Sequence, residues 1–200
     1  MYVYMRKIFT LFLLFLVVSL NAQKIKTSYK ISFCGKPQTL TLIQYNDGTV
    51  LGFLETDFSK QAQMRKGTSI PIKIKTEITD AQTKRLFDDL NDLGIESLVN
   101  CNTDKECKSV TFLDGNDLII DLLLEDGTEK RFDYMNIYPL SDINTVEEET
   151  ELRKKVQSIV TTIDQILHLK EMFHNVSRDL ETGYYYCYLD DMSTNCIDKK

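Results

Sequence analysis

Tryptophan is absent, the only histidines are His168 and His174, and the 200 residues include just three prolines and eight glycines. So little proline and glycine excludes a collagen-like or low-complexity chain. Two histidines leave little of the usual machinery for general acid–base chemistry at neutral pH. Catalytic signatures are missing too: there is no Gly-x-Ser-x-Gly elbow, no His-Glu-x-x-His, no phosphate-cradling glycine loop and no Cys-x-x-Cys. Beyond the N-terminus no apolar run is long enough to cross a membrane. A net charge of −6 and the lack of any recognised motif leave nothing to support nucleic-acid binding.

What is present begins with an export signal. Arg6 and Lys7 precede an unbroken apolar stretch at 8–20, and Ser19-Leu20-Asn21-Ala22 offers a cleavage site. The stretch is too short for a good membrane span, so residues 1–22 read as a cleavable secretory signal of bacterial type. Residues 23–200 then form a single-domain length that leaves no stable membrane span after cleavage. The expected location is secreted or periplasmic.

All five cysteines lie in the exported part, where disulfides can form. Local spacing points to Cys101–Cys107 and Cys187–Cys196, each worth about 2–3 kcal/mol in the chain-entropy model. Cys34 is left over, and other pairings of the five are open. The second bridge would tie down a C-terminal tail at 177–200.

Charge is uneven. Residues 23–76 carry nine basic residues against three acidic ones, a net of +6, while residues 77–200 net −14. No acidic residue stands between Asp57 and Glu77. Such asymmetry either marks an anionic partner for the first part or lets the two parts attract each other in the fold.

Residues 109–135 read as a three-stranded antiparallel meander, with turns at Asp114-Gly115-Asn116 and Glu125-Asp126-Gly127. With Gly127 in the left-handed position of a three-residue loop, Leu122 faces Lys130, Ile120 faces Phe132 and Leu118 faces Tyr134. Asp121 then meets Arg131 on the other face. A one-residue slip would lose the whole apolar face. The same logic at the first turn sets Phe112 against Leu118 and Val110 against Ile120.

Elsewhere, 29–34 is a short strand. Segments 38–45 and 49–56 flank Asn46-Asp47-Gly48 as a hairpin whose register stays open, because both faces carry apolar residues. Residues 58–67 read as a polar loop. Residues 68–78 alternate, with Ile70, Ile72, Ile74 and Ile78 on one side and Pro71, Lys73, Lys75 and Glu77 on the other, which predicts an edge strand. A first helix runs over 80–93, capped by Thr79 with Gln82 and stopped by Gly94. A second, with Thr145 and Glu148 as its capping box, carries a stripe from Leu152 to Leu167 and kinks near Lys170. Asp47-Gly48-Thr49 and Asp126-Gly127-Thr128 share a pattern that could record a duplicated hairpin–helix unit.

Three groups of residues could carry chemistry. Asp164, His168 and Glu171 are spaced four and three apart on the second helix. They would project together as divalent-metal ligands or as an ordinary solvated face. Tyr184, Tyr185, Tyr186 and Tyr188 are either a stacking surface or a strand with one face in the core. Lys60, Arg65, Lys66, Lys73 and Lys75 form the basic stretch.

The expected architecture is α+β: a mostly antiparallel sheet of about six strands, in two hairpin or meander units, with two helices packed on one face. The expected function is a non-catalytic binding module that uses Lys60, Arg65, Lys66, Lys73 and Lys75 to hold an unknown protein or a polyanionic envelope ligand. No cofactor is implied. The alternatives are a metal-dependent or hydrolytic secreted enzyme and a structural cell-envelope component.

Overall fold

The computed structural model describes residues 24–62, 68–110, 115–190 and 193–199. The signal expected at 1–22 lies outside them. The chain is α+β, and its strands all pair antiparallel in one curled sheet. Strands are β1 Ile25–Ser32, β2 Gln38–Tyr45, β3 Val50–Gln61, β4 Ile70–Ile78, β5 Asp117–Leu123, β6 Glu129–Met135, β7 Tyr185–Asp190 and β8 Ser193–Asp198. Helices are α1 Asp80–Asp92, the short α2 Lys105–Ser109, α3 Glu151–Leu167 and α4 Leu169–Arg178. That is eight strands and four helices among the described residues, against about six and two expected.

The sheet runs β6-β5-β1-β2-β3-β7-β8, and β4 pairs with the other side of β3. β3 serves two neighbours because of its length. Gln44↔Val50 through Gln38↔Thr56 pair it with β2, and Ser59 to Gln61 then pair with β7. Residues 58–61 are therefore strand rather than loop, and Phe58 is buried.

The expected β5–β6 register forms in full: Leu118↔Tyr134, Ile120↔Phe132, Asp121↔Arg131 and Leu122↔Lys130. Gly127 has φ +83°, and Asp126 Oδ1 accepts from Thr128 N at 2.8 Å. That bond holds the Asp126 carboxyl below its usual range. The β2–β3 turn is built the same way, with Gly48 at φ +84° and Thr49 N donating to Asp47 Oδ1 at 2.9 Å.

The expected third meander strand does not flank β5. Ile120 pairs there with Ile31 and Leu122 with Tyr29, so β1 takes the place assigned to Val110. Residues 105–109 are helical instead, because Asp104 caps Cys107 N and the Cys101–Cys107 disulfide closes the segment on itself. Residues 111–114, which include Phe112, lie outside the description.

Alternation along the strands sends Tyr29, Ile31, Leu40, Leu42, Leu54, Leu118, Ile120 and Phe132 to one face, where α1 and α3 cover them. α1 starts at the expected cap, Thr79 Oγ1 accepting from Gln82 N. It lies close on β3 because Gly52 has no side chain: a Cβ there would meet Thr83 Oγ1 at 2.4 Å. A second, smaller core joins Phe58, Leu180 and Tyr186 with Phe173 and Val176 of α4. Tyr186 of the tyrosine run is thus a core residue, and β7 and β8 are bridged by Cys187–Cys196 as expected.

α3 departs from its expected start. Its cap is Thr150, whose side chain accepts from Arg153 N, and residues 145–149 are not helical. Glu148 serves Arg153 instead. The Arg153 side chain is 2% exposed, with Nε 2.6 Å and Nη2 2.8 Å from the two Glu148 oxygens, and Nη1 and Nη2 each 3.1 Å from Met135 O. The helix ends at His168, in a left-handed conformation (φ 52°), two residues before the expected kink.

Removing the guanidinium leaves Glu148 and the Met135 carbonyl without their partner. Arg153→Ala is expected to cost about 3–5 kcal/mol in urea denaturation. The paired replacement Arg153→Met with Glu148→Leu is expected to recover most of it, since no charge is then orphaned.

Two core tyrosines supply a pH test. Tyr29 donates to Glu96 Oε1 at 2.7 Å, and burial with that carboxylate pushes its pKa up. Tyr134 donates to Val99 O at 2.6 Å, and burial raises it as well. A folded-state value above the unfolded one, about 10, means stability that is complete below that pH and lost as pH rises further. In a spectrophotometric titration these two tyrosines are expected to ionise last, together with alkaline unfolding.

Candidate binding site

β4 pairs with β3 from Ile70↔Lys60 to Ile78↔Gly52, and no described strand lies on its other side. The expectation of an edge strand therefore holds over nine residues. Lys73, Lys75 and Glu77 share a face with Asp57, Glu55 and Phe53 of β3, away from the helices. Lys73 Nζ is 3.3 Å from Asp57 Oδ2, an exposed pair that constrains the lysine little. Lys75 Nζ sits 3.8 Å from the centroid of the Phe53 ring. Ile70, at the start of the strand, is 56% exposed.

The basic stretch is not one cluster. Lys60 is the cross-strand partner of Ile70, which places it on the helix-covered face, opposite Lys73 and Lys75. Its Nζ lies 2.6 Å from Glu181 Oε2 and 3.7 Å from the centroid of the Tyr184 ring, and the Glu181 bond raises its pKa. Arg65 and Lys66 lie outside the described residues.

Asp164, His168 and Glu171 do not form a row. The left-handed residue at 168 separates α3 from α4, so helical spacing does not carry across it. Asp164 is buried and occupied: Oδ1 accepts from Leu169 N at 3.1 Å, and Oδ2 accepts from Ser141. Among the described residues no three His, Cys, Asp or Glu side chains converge as metal ligands.

Asp164 belongs to a different row. Arg153, Gln157, Thr161 and Asp164, at spacings of four, four and three, are all buried on α3. Each engages the connection between β6 and α3. Gln157 Nε2 donates to Tyr138 O at 3.2 Å and Val146 O at 2.9 Å, and its Oε1 accepts from Glu148 N at 2.9 Å. Thr161 Oγ1 accepts from Leu140 N at 3.0 Å. One helix face thus straps residues 136–148 across its length. The signal was the run of polar residues at helical spacing beside the apolar stripe, which reads equally as a solvated face.

The strap borders an open cavity of about 650 Å³, whose walls include Cys34 to Gln38, residues 142–146, and Lys170 and Phe173 of α4. Lys36 Nζ joins Asp142 Oδ2 at 2.8 Å, tying the β1–β2 turn to the strap. Neither histidine lines the cavity, so Cys34 has no imidazole beside it there. Its Sγ is buried, 3.0 Å from Asn116 O. The Cys34 thiol is expected to react with a bulky aromatic disulfide reagent only as fast as the protein opens. Fast stoichiometric labelling of the native protein would contradict that burial.

Comparison with protein-family models, with curated proteins and with solved structures found no match to this chain.

Proposed function

We propose that this chain is an exported, non-catalytic binding module whose β4 edge receives an extended anionic partner by strand addition. The observation that carries this is the one-sided pairing of β4 over nine residues, with Lys73 and Lys75 on its open face. An added strand gains main-chain hydrogen bonds along such an edge, and side chains on alternate positions select it. Lysines at an unoccupied edge also prevent association with unsuitable strands. An acidic strand turns that deterrent into attraction. Along β4 itself Lys73 and Lys75 outnumber Glu77, while Asp57 and Glu55 stand opposite them on β3.

Export is part of the proposal. The N-terminal residues Arg6 to Ala22 have the pattern of a signal, and two disulfides fit an oxidising compartment. No helix among the described residues is long and apolar enough to cross a membrane.

A fluorescent peptide of alternating valine and glutamate tests the edge. It is expected to bind, and Lys73→Glu with Lys75→Glu is expected to weaken it about tenfold at low salt, by anisotropy. Both side chains are exposed, so the fold should persist. Equal affinity for the charge-reversed protein, or equal affinity for a valine–lysine peptide, would remove this function.

A further inference from the structure

The cavity beneath the strap has a chemistry of its own. Its volume, about 650 Å³, suits a small molecule. Of the charged side chains in its wall, Glu148 is committed to Arg153, and Lys36 and Asp142 to each other. Lys170 alone has no ion-pair partner among the described residues, which leaves the wall one unanswered positive charge. Beside it is an unanswered acceptor. Gln38 is 2% exposed and lines the cavity; its Nε2 donates to Leu169 O at 3.0 Å, and its Oε1 accepts no bond among the described residues. Because Gln38 is bonded to Leu169, the residue next to Lys170, the two groups stand at the same end.

Apolar surface continues from there. Phe173 lies three residues beyond Lys170 on α4, on the same side of the helix. On the strap, Ile143 is 83% exposed and Val146 80%, although both line the cavity. These two aliphatic side chains give the cavity mouth apolar surface that a ligand could cover. The backbone bonds from Gln157 and the Lys36–Asp142 pair hold them there.

We infer that this cavity binds a small organic acid that pairs an anionic group with a hydrogen-bond donor and an apolar body. The anion meets Lys170, the donor meets Gln38 Oε1, and the apolar body lies against Phe173, Ile143 and Val146. This site is separate from the β4 edge and does not depend on it.

Phenyllactate has all three features; phenylpropionate lacks the hydroxyl donor and phenyllactamide lacks the charge. In amide-resolved NMR titrations of the purified protein, phenyllactate is expected to shift Gln38, Val146, Lys170 and Phe173. It should bind about tenfold more tightly than either analogue. Lys170→Ala, a change at an exposed position, is expected to reduce phenyllactate to the level of phenyllactamide. The Lys73→Glu, Lys75→Glu protein should bind phenyllactate as the unaltered protein does, which separates this site from the edge. Absence of shifts around the cavity, equal affinity for the three compounds, or no effect of Lys170→Ala would overturn the inference.

Discussion

Arg153 is buried with a charge that water cannot reach, and Glu148 and the Met135 carbonyl answer it. A guanidinium in that position is tolerable only when its partners are fixed, because a buried charge left unpaired costs far more than the pair returns. The pair therefore dictates where the last residue of β6 and the approach to α3 must lie. Gln157, Thr161 and Asp164 continue the same work along the helix, each satisfying a backbone or hydroxyl group of the connection. A long segment without regular structure of its own would otherwise bring unsatisfied polar groups against the core. The adjoining face of α3 meanwhile buries Val156, Ile159, Val160 and Ile163. One helix thus serves the core and the strap together.

The consequence is a division of surfaces. α1, α3 and α4 lie on one side of the sheet, and the strap and α4 bound a cavity on that side. The other side and the β4 edge carry no helix among the described residues. Along that open face Arg131, Asp121 and Lys30 alternate in sign across β6, β5 and β1, and Arg131 lies 3.3 Å from Asp121. The acidic second part of the chain is met partly by bases of the first: Lys26 pairs with Glu125, Lys36 with Asp142 and Lys60 with Glu181. Lys73 and Lys75, at the far edge, meet an exposed carboxylate and a ring face among the described residues.

What could be read in the sequence followed the strength of local contrast. β5 and β6 put apolar residues on one face and Asp121 and Arg131 on the other, so one register was acceptable and it formed. β2 and β3 have Ile43, Leu51 and Phe53 on the face away from the core, so alternation could not choose between registers. Thr79 with Gln82 and Thr145 with Glu148 match the same capping pattern, yet only the first caps a helix. The difference is the burial of Arg153, a tertiary fact that claims Glu148. The displacement of Val110 by Ile31 has the same origin, since β1 reaches β5 from about ninety residues away in sequence and no local pattern announces it. Among the candidate site residues, spacing joined Lys60 to Lys73 and Lys75, but strand parity set them on opposite faces. Spacing also joined Asp164 to His168 and Glu171, and the left-handed His168 parted them.

On the proposed reading β4 is an open edge that an acidic strand completes. Site-resolved amide hydrogen exchange along β4, with and without the valine–glutamate peptide, tests it most directly. Amides of β4 that point away from β3 are predicted to exchange freely in the protein alone and to gain protection when the peptide is added. Protection of those amides in the protein alone, or no change on adding the peptide, would contradict it.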